Sequence, residues 1–254
     1  MVNRFKKYSF IGVSVLMCVF MLIGIISLFT VPAEAKKAQE ELEQKIIDNQ
    51  KIAEERKQKQ LELIQVEPSV EEKEKTAEDF YRPASEIRIT FIGDSVTLAA
   101  LPSLYEELPN AYIDAVFGRT IFAGIETLRW LEENNQLGEV LVFSLGTNSY
   151  ISEENIEELI SLSHGLPTFW LSTYGVSNDS NQVTQRVIQK YDNAFYIDWE
   201  SVAKTNPGLY ISTDGLHPTE EGSKVYAKLI ADTIAQDLSQ YYLEKRNNDN
   251  NQKN

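Results

Sequence analysis

IRITFIGDSVTLAA, residues 87–100, joins an apolar, β-rich run to a segment of helical pattern through a Gly-Asp-Ser turn. The run, 87–93, fits a strand buried on both faces, and 96–107 fits a helix. Strand, turn and helix make the first half of a βαβ unit. The serine in the turn admits two readings. Ser and Asp are ordinary turn and N-cap residues, yet a serine displayed at the end of a strand can also be a nucleophile. What lies beside Ser95 decides between them.

Outward from this stretch the alternation repeats. Apolar runs recur at AYIDAVF (111–117), EVLVFSLG (139–146), PTFWLST (167–173) and AFYIDW (194–199). Helical patterns follow them at 122–136, 152–163, 181–191 and 219–240. In the last, Val225, Leu229, Ile230 and Ile234 form the stripe of a helix packed on a sheet. Such alternation implies right-handed crossovers and a five-stranded parallel sheet covered on both faces, an α/β domain.

The flanks have a different character. From Tyr8 to Val31 the chain runs for 24 residues without a formal charge, about 36 Å as a helix and enough to cross a bilayer. Arg4, Lys6 and Lys7 precede it and favour a cytoplasmic N-terminus. Ala33-Glu34-Ala35 has the pattern of a signal-peptidase site, but the apolar run exceeds the roughly 7–15 residues of a cleaved signal. An uncleaved anchor is therefore expected. Residues 36–66 lack Gly and Pro and are dense in Glu, Gln, Lys and Ala, with Glu41–Lys45 and Glu55–Lys59 at helical i,i+4 spacing. Leu42, Ile46, Ile52 and Ile64 keep no sustained heptad, so a solvated single-helix stalk is expected rather than a coiled coil. The expected organisation is a cytoplasmic basic segment (1–7), a transmembrane anchor (8–31), a charged helical stalk and linker (32–80), a catalytic domain (81–245) and a disordered tail (246–254).

Composition narrows the chemistry. Among 254 residues, 24 Lys and Arg face 38 Asp and Glu, a formal net charge of −14. That balance argues against nucleic acid as a partner and against broad adsorption to anionic membrane surfaces. One cysteine, Cys18 in the apolar run, allows no internal disulfide or Cys-based metal site. The two histidines, His164 and His217, form no metal-ligand pattern, and no cofactor is called for.

In an open α/β sheet the ligand crevice lies at the carboxyl ends of the strands. There the sequence places Gly93-Asp94-Ser95, Gly118-Arg119, Gly146-Thr147-Asn148-Ser149 and Ser172-Thr173-Tyr174, with Asp214-Gly215-Leu216-His217 just before the last helix. These are the parts of an acyl-transfer site. Ser95 needs a base, and His217 is the natural one. Asp214, three residues earlier, can hold the imidazole tautomer and stabilise the imidazolium. The amides of Ser95 and Gly118 and the side chain of Asn148 can serve a developing oxyanion. Arg119 reads equally as a contact to an anionic substrate group or as a solvated loop residue. Tyr174 borders the same edge and could stack on a sugar. Trp170 reads as core, His164 as a surface connection, and Asp94 as a residue that shapes the turn.

The set GDS, an isolated glycine after the second strand, G-x-N and D-x-x-H resembles the SGNH (GDSL-type) hydrolase superfamily over about residues 85–240. The resemblance implies a flavodoxin-like three-layer α/β/α sandwich. It also implies Ser95 as nucleophile, His217 as base, Asp214 as its orienter, and Gly118 and Asn148 completing the oxyanion hole. Many esterases of the superfamily read G-x-N-D where this chain reads Gly146-Thr147-Asn148-Ser149. That variant, with GDSV, GR and DGLHPT, is most similar to the extracytoplasmic domain of peptidoglycan O-acetyltransferases. In those proteins a multi-pass membrane domain supplies the acetyl group, so a separate membrane acyl donor is implied here. The implied setting is the outer face of a bacterial membrane of Gram-positive type, with a cell-wall or surface glycan as acceptor. Transfer to a sugar hydroxyl is the first expectation, hydrolysis of carbohydrate or lipid esters the second, and a non-catalytic wall-binding scaffold the third.

Overall fold

In the computed structural model, residues 33–64 and 81–252 are described. The predicted membrane anchor lies outside them. Among the described residues no helix is long and apolar enough to cross a membrane. A long helix α1 (Ala33–Ile64) is followed by a short 3-10 turn at Ala84–Glu86. Five strands then alternate with helices: β1 (Ile89–Gly93), α2 (Ser95–Ala99), α3 (Leu101–Glu107), β2 (Tyr112–Ala115), α4 (Ile121–Glu133), β3 (Val140–Ser144), α5 (Glu153–Leu162), β4 (Thr168–Leu171), α6 (Ser180–Ile188), β5 (Ala194–Ile197), α7 (Trp199–Thr205), α8 (Pro207–Tyr210) and α9 (Glu220–Gln252). The sheet order is β2-β1-β3-β4-β5 with every pairing parallel.

Alternation along β1 shows how the sheet is covered twice. Ile92 faces the layer of α4, α5 and α6, where Ile125, Leu128, Ile156, Leu159 and Val187 complete one core. Phe91, its neighbour, points to the opposite face. There Trp199 meets Tyr226 of α9 edge-on, with ring centroids 5.1 Å apart. Both faces are dry, which is why β1 and β3 read as near-continuous apolar runs. Trp170 is buried as predicted, tilted on Phe143 at 4.6 Å.

Four expectations need correction. The helix predicted over 96–107 is two helices hinged at Ala100, with Pro102 in the first turn of the second, where a missing N–H costs nothing. Helices α7 and α8 were not predicted; at seven and four residues they are too short to show a period. The tail expected to be disordered from Arg246 continues α9 to Gln252, because no Gly or Pro after Gly222 interrupts it.

The fourth correction concerns the stalk. The chain divides into two compact units at Leu42–Glu43, so the second half of α1 belongs with the α/β domain. In that half Ile46, Asn49 and Ala53 are buried. Asn49 donates to the carbonyl of Leu98 at 2.7 Å, and the Arg56 guanidinium lies 4.1 Å from the centre of the Tyr105 ring. The docked stripe uses one Ile, one Ala and one Asn, too polar and too small to register as an apolar face. From Glu43 onward α1 is part of the domain, not a solvated spacer.

Candidate active site

The turn after β1 forces its own geometry. A Cβ on Gly93 would lie 2.1 Å from Thr97 Oγ1, so only glycine lets the strand pass into α2 this closely. Asp94 is the N-cap: its Oδ1 accepts the amide of Val96 at 3.0 Å. Ser95 is therefore the first helical residue, not the cap. Its side chain is free of capping duty, and its amide stands at the helix N-terminus.

Ser95 is 4 % exposed, and its Oγ lies 2.8 Å from Nε2 of His217. On the other side of the ring, Nδ1 lies 2.6 Å from Asp214 Oδ2. An ionised carboxylate only accepts, so Nδ1 carries the proton and the Nε2 lone pair faces the serine hydroxyl. Asp214 Oδ1 accepts from Ser212 Oγ (2.6 Å) and from the amides of Leu216 (2.9 Å) and His217 (3.0 Å). Partial burial opposes its ionisation, but Ser212, His217 and the two amides outweigh it and hold its pKa down at about 2. The turn is closed by the Ser212 amide donating to the His217 carbonyl at 2.8 Å. Ser212 was not foreseen; a hydroxyl two residues before the acid was its only signal.

The remaining predicted residues line the same strand ends. Gly118 takes a left-handed φ of +70°, a conformation that favours glycine. Asn148 is exposed, and its Nδ2 donates to the carbonyl of Arg119 (3.2 Å) and to Thr147 Oγ1 (2.9 Å). Thr147, not singled out from sequence, donates in turn to Asp94 Oδ2. Burial pushes the Asp94 carboxyl up despite the donors from Thr147 and Val96. A chain of hydrogen bonds thus runs from the turn beside Ser95 to the side chain of Asn148.

Arg119 fits neither reading offered for it. It is buried and turned inward, with Nη2 2.5 Å from Asp114 Oδ1 and Nη1 donating to the carbonyls of Asp114 and Gly93. Paired there with a carboxylate, it presents no charge to a substrate. Tyr174 is half-buried. The next residue, Gly175, packs so closely on the Asp214–His217 turn that a Cβ would sit 2.2 Å from the Gly215 carbonyl. His164 is on the surface, 2.9 Å from Glu132. Sequence reading missed three exposed aromatics around the candidate oxyanion segments. Phe117 adjoins Gly118, Tyr150 adjoins Ser149, and Phe122 lies in the first turn of α4. The Ile121 amide donates to Ser149 Oγ at 2.8 Å and ties these two loops together.

The sheet order, with Ser95 after β1 and Asp214 and His217 before the last helix, is an SGNH-like α/β arrangement. No protein-family model matches the chain. YrhL of Bacillus subtilis (strain 168), a candidate peptidoglycan O-acetyltransferase, is 26 % identical over 166 residues, covering 64 % of this chain and 26 % of YrhL. The peptidoglycan O-acetyltransferase OatA of Listeria monocytogenes is 27 % identical over 146 residues, covering 56 % of this chain and 23 % of OatA. The chain thus spans about a quarter of the length of the curated relatives it matches. The Clostridium thermocellum family 3 carbohydrate esterase superposes with a TM-score of 0.50 at 19 % identity, covering 60 % of this chain and 96 % of that one. At that identity the likeness is one of fold.

Proposed function

We propose that the domain is an SGNH-type serine enzyme that moves an acetyl group onto a hydroxyl of a cell-wall glycan. The observation that carries this reading is the continuous relay Ser95–His217–Asp214, with contacts of 2.8 and 2.6 Å. Ser95 Oγ attacks the acetyl carbonyl while Nε2 takes its proton, and Asp214 stabilises the imidazolium. The tetrahedral oxyanion faces the amides of Ser95 and Gly118 and Nδ2 of Asn148, which shifts part of its donation from Thr147 or Arg119 to the substrate. Collapse expels the donor's oxygen, which takes the proton from Nε2 as it leaves, and an acetyl-serine remains. A sugar hydroxyl then gives its proton to the neutral imidazole of His217 and attacks the acetyl carbon. The second tetrahedral intermediate collapses with the acetyl group on the sugar, and Nε2 returns that proton to Ser95 Oγ.

Similarity to OatA and YrhL supports peptidoglycan as the acceptor. Exposed Phe117, Phe122 and Tyr150, with Tyr174, supply faces on which sugar rings can stack. The apolar stretch 8–31 would hold the domain outside the cell membrane, and a separate multi-pass acyltransferase would supply acetyl groups.

The test supplies the full chain with an activated acetyl ester and muramyl glycan fragments, and weighs the products by mass spectrometry. Acetylated glycan, absent with Ser95→Ala, is the expected result. Free acetate alone would favour an esterase. No turnover, equal in both chains, would leave a non-catalytic wall protein.

A further inference from the structure

Asp114, at the end of β2, has two carboxylate oxygens and two cationic partners. Oδ1 takes Arg119 Nη2 at 2.5 Å, and Oδ2 takes Lys57 Nζ, also at 2.5 Å. The side chains of Asp114 and Arg119 are 3 % and 6 % exposed, that of Lys57 26 %. Oδ2 also accepts the Tyr112 hydroxyl at 3.3 Å. Lys57 comes from α1, outside the sheet and its covering helices.

Arg119 touches every segment that carries a candidate oxyanion donor. Its Nη1 donates to the Gly93 carbonyl at 3.2 Å, two residues before Ser95. Its own amide donates to the Val116 carbonyl at 3.3 Å and closes the turn that contains Gly118. Its carbonyl accepts Asn148 Nδ2 at 3.2 Å. The three donors come from three separate strand ends, and one residue ties all of them.

We infer that Arg119 is a positioning residue for the oxyanion site and that Lys57, through Asp114, sets its hold, so helix α1 is part of the catalytic device. A buried carboxylate between two cations is bound from both sides. Without Lys57, Asp114 Oδ2 keeps, among the described residues, the tyrosine hydroxyl alone. The carboxylate can then rotate its Oδ1 away from Nη2 of the guanidinium, whose Nη1 stays on the backbone carbonyls of Asp114 and Gly93. The turn around Gly118 then loses its fixed distance from Ser95. Donors displaced by a fraction of an ångström bind a ground-state ester as before but a tetrahedral oxyanion less well.

This inference rests on the serine-enzyme reading. Its test uses the full chain with Lys57→Met and Lys57→Arg. Arg119→Ala would strand a buried carboxylate and could simply unfold the domain, whereas Lys57 sits at its rim. Hydrolysis of an activated acetyl ester gives kcat and KM, a boronic acid serves as the tetrahedral mimic, and Tm reports the fold. Lys57→Met is expected to lower kcat about tenfold at unchanged KM and to weaken the boronate by a similar factor. Lys57→Arg should restore both. A merely structural lysine would move Tm alone. An active wild type whose kcat and boronate affinity survive Lys57→Met would overturn the coupling and leave the enzyme standing. A wild type without turnover would overturn the enzyme reading and this inference with it.

Discussion

On the serine-enzyme reading, Asp214→Asn should separate catalysis from folding. The two oxygens of Asp214 have different work. Oδ1 receives three donors, from Ser212, Leu216 and His217, while among the described residues Oδ2 receives His217 Nδ1 alone. An asparagine keeps its oxygen where three donors converge, since the reverse orientation would set its NH2 against all three. The amide NH2 must then face Nδ1, which becomes an acceptor, and the ring proton moves to Nε2. His217 now points a hydrogen at Ser95 Oγ and cannot take one. Wrong-tautomer loss of this kind costs about 10⁴-fold in kcat, or roughly 5–6 kcal/mol of barrier. The turn keeps its three hydrogen bonds, so Tm should change by no more than a few degrees. The assay is ester turnover by the full chain, with thermal unfolding followed by circular dichroism. Retention of a tenth or more of the wild-type kcat would refute the tautomer argument.

Two further outcomes follow from the same geometry. The Asp214 carboxyl is held at about 2 against an ordinary 3.8. Its folded-state value is the lower one, so its stabilising contribution is full above the ordinary value and disappears as pH falls through about 2. The side chain is partly exposed, and screening should cut the nominal gain to about 1 kcal/mol. Denaturant titration of wild type and Asp214→Asn should therefore converge as pH drops from 4 to 2; parallel curves would contradict it. Ile46→Ala removes a side chain that is 2 % exposed and should cost about 2–4 kcal/mol of unfolding free energy. An unchanged midpoint would return α1 to the role of a solvated spacer.

Much of the candidate site's geometry was legible because its parts are short-range. Asp214 and His217 sit three residues apart, and that spacing alone lets one tight turn join carboxylate to imidazole. The β-rich runs and helical stripes foretold five strands and their crossovers, since parallel pairing demands a helix between strands. Gly118 was marked by its lack of a side chain, and the structure gives it a left-handed φ. Short helices such as α8 left no period to read.

What sequence determined, then, is local: turns, periods, and the Asp214–His217 pair. Only the tertiary structure could bring Ser95 to His217 across 122 residues, because the sheet order decides which strand ends meet. Only it could show Arg119 turned inward to Asp114 and Gly93, since a loop arginine has the same letters whether it faces solvent or core. The docking of α1 is the same case. Ile46, Asn49 and Ala53 read as scattered residues of a charged helix until Leu98 and its neighbours supply the surface that buries them. Burial depends on the partner surface, and the partner is distant in sequence.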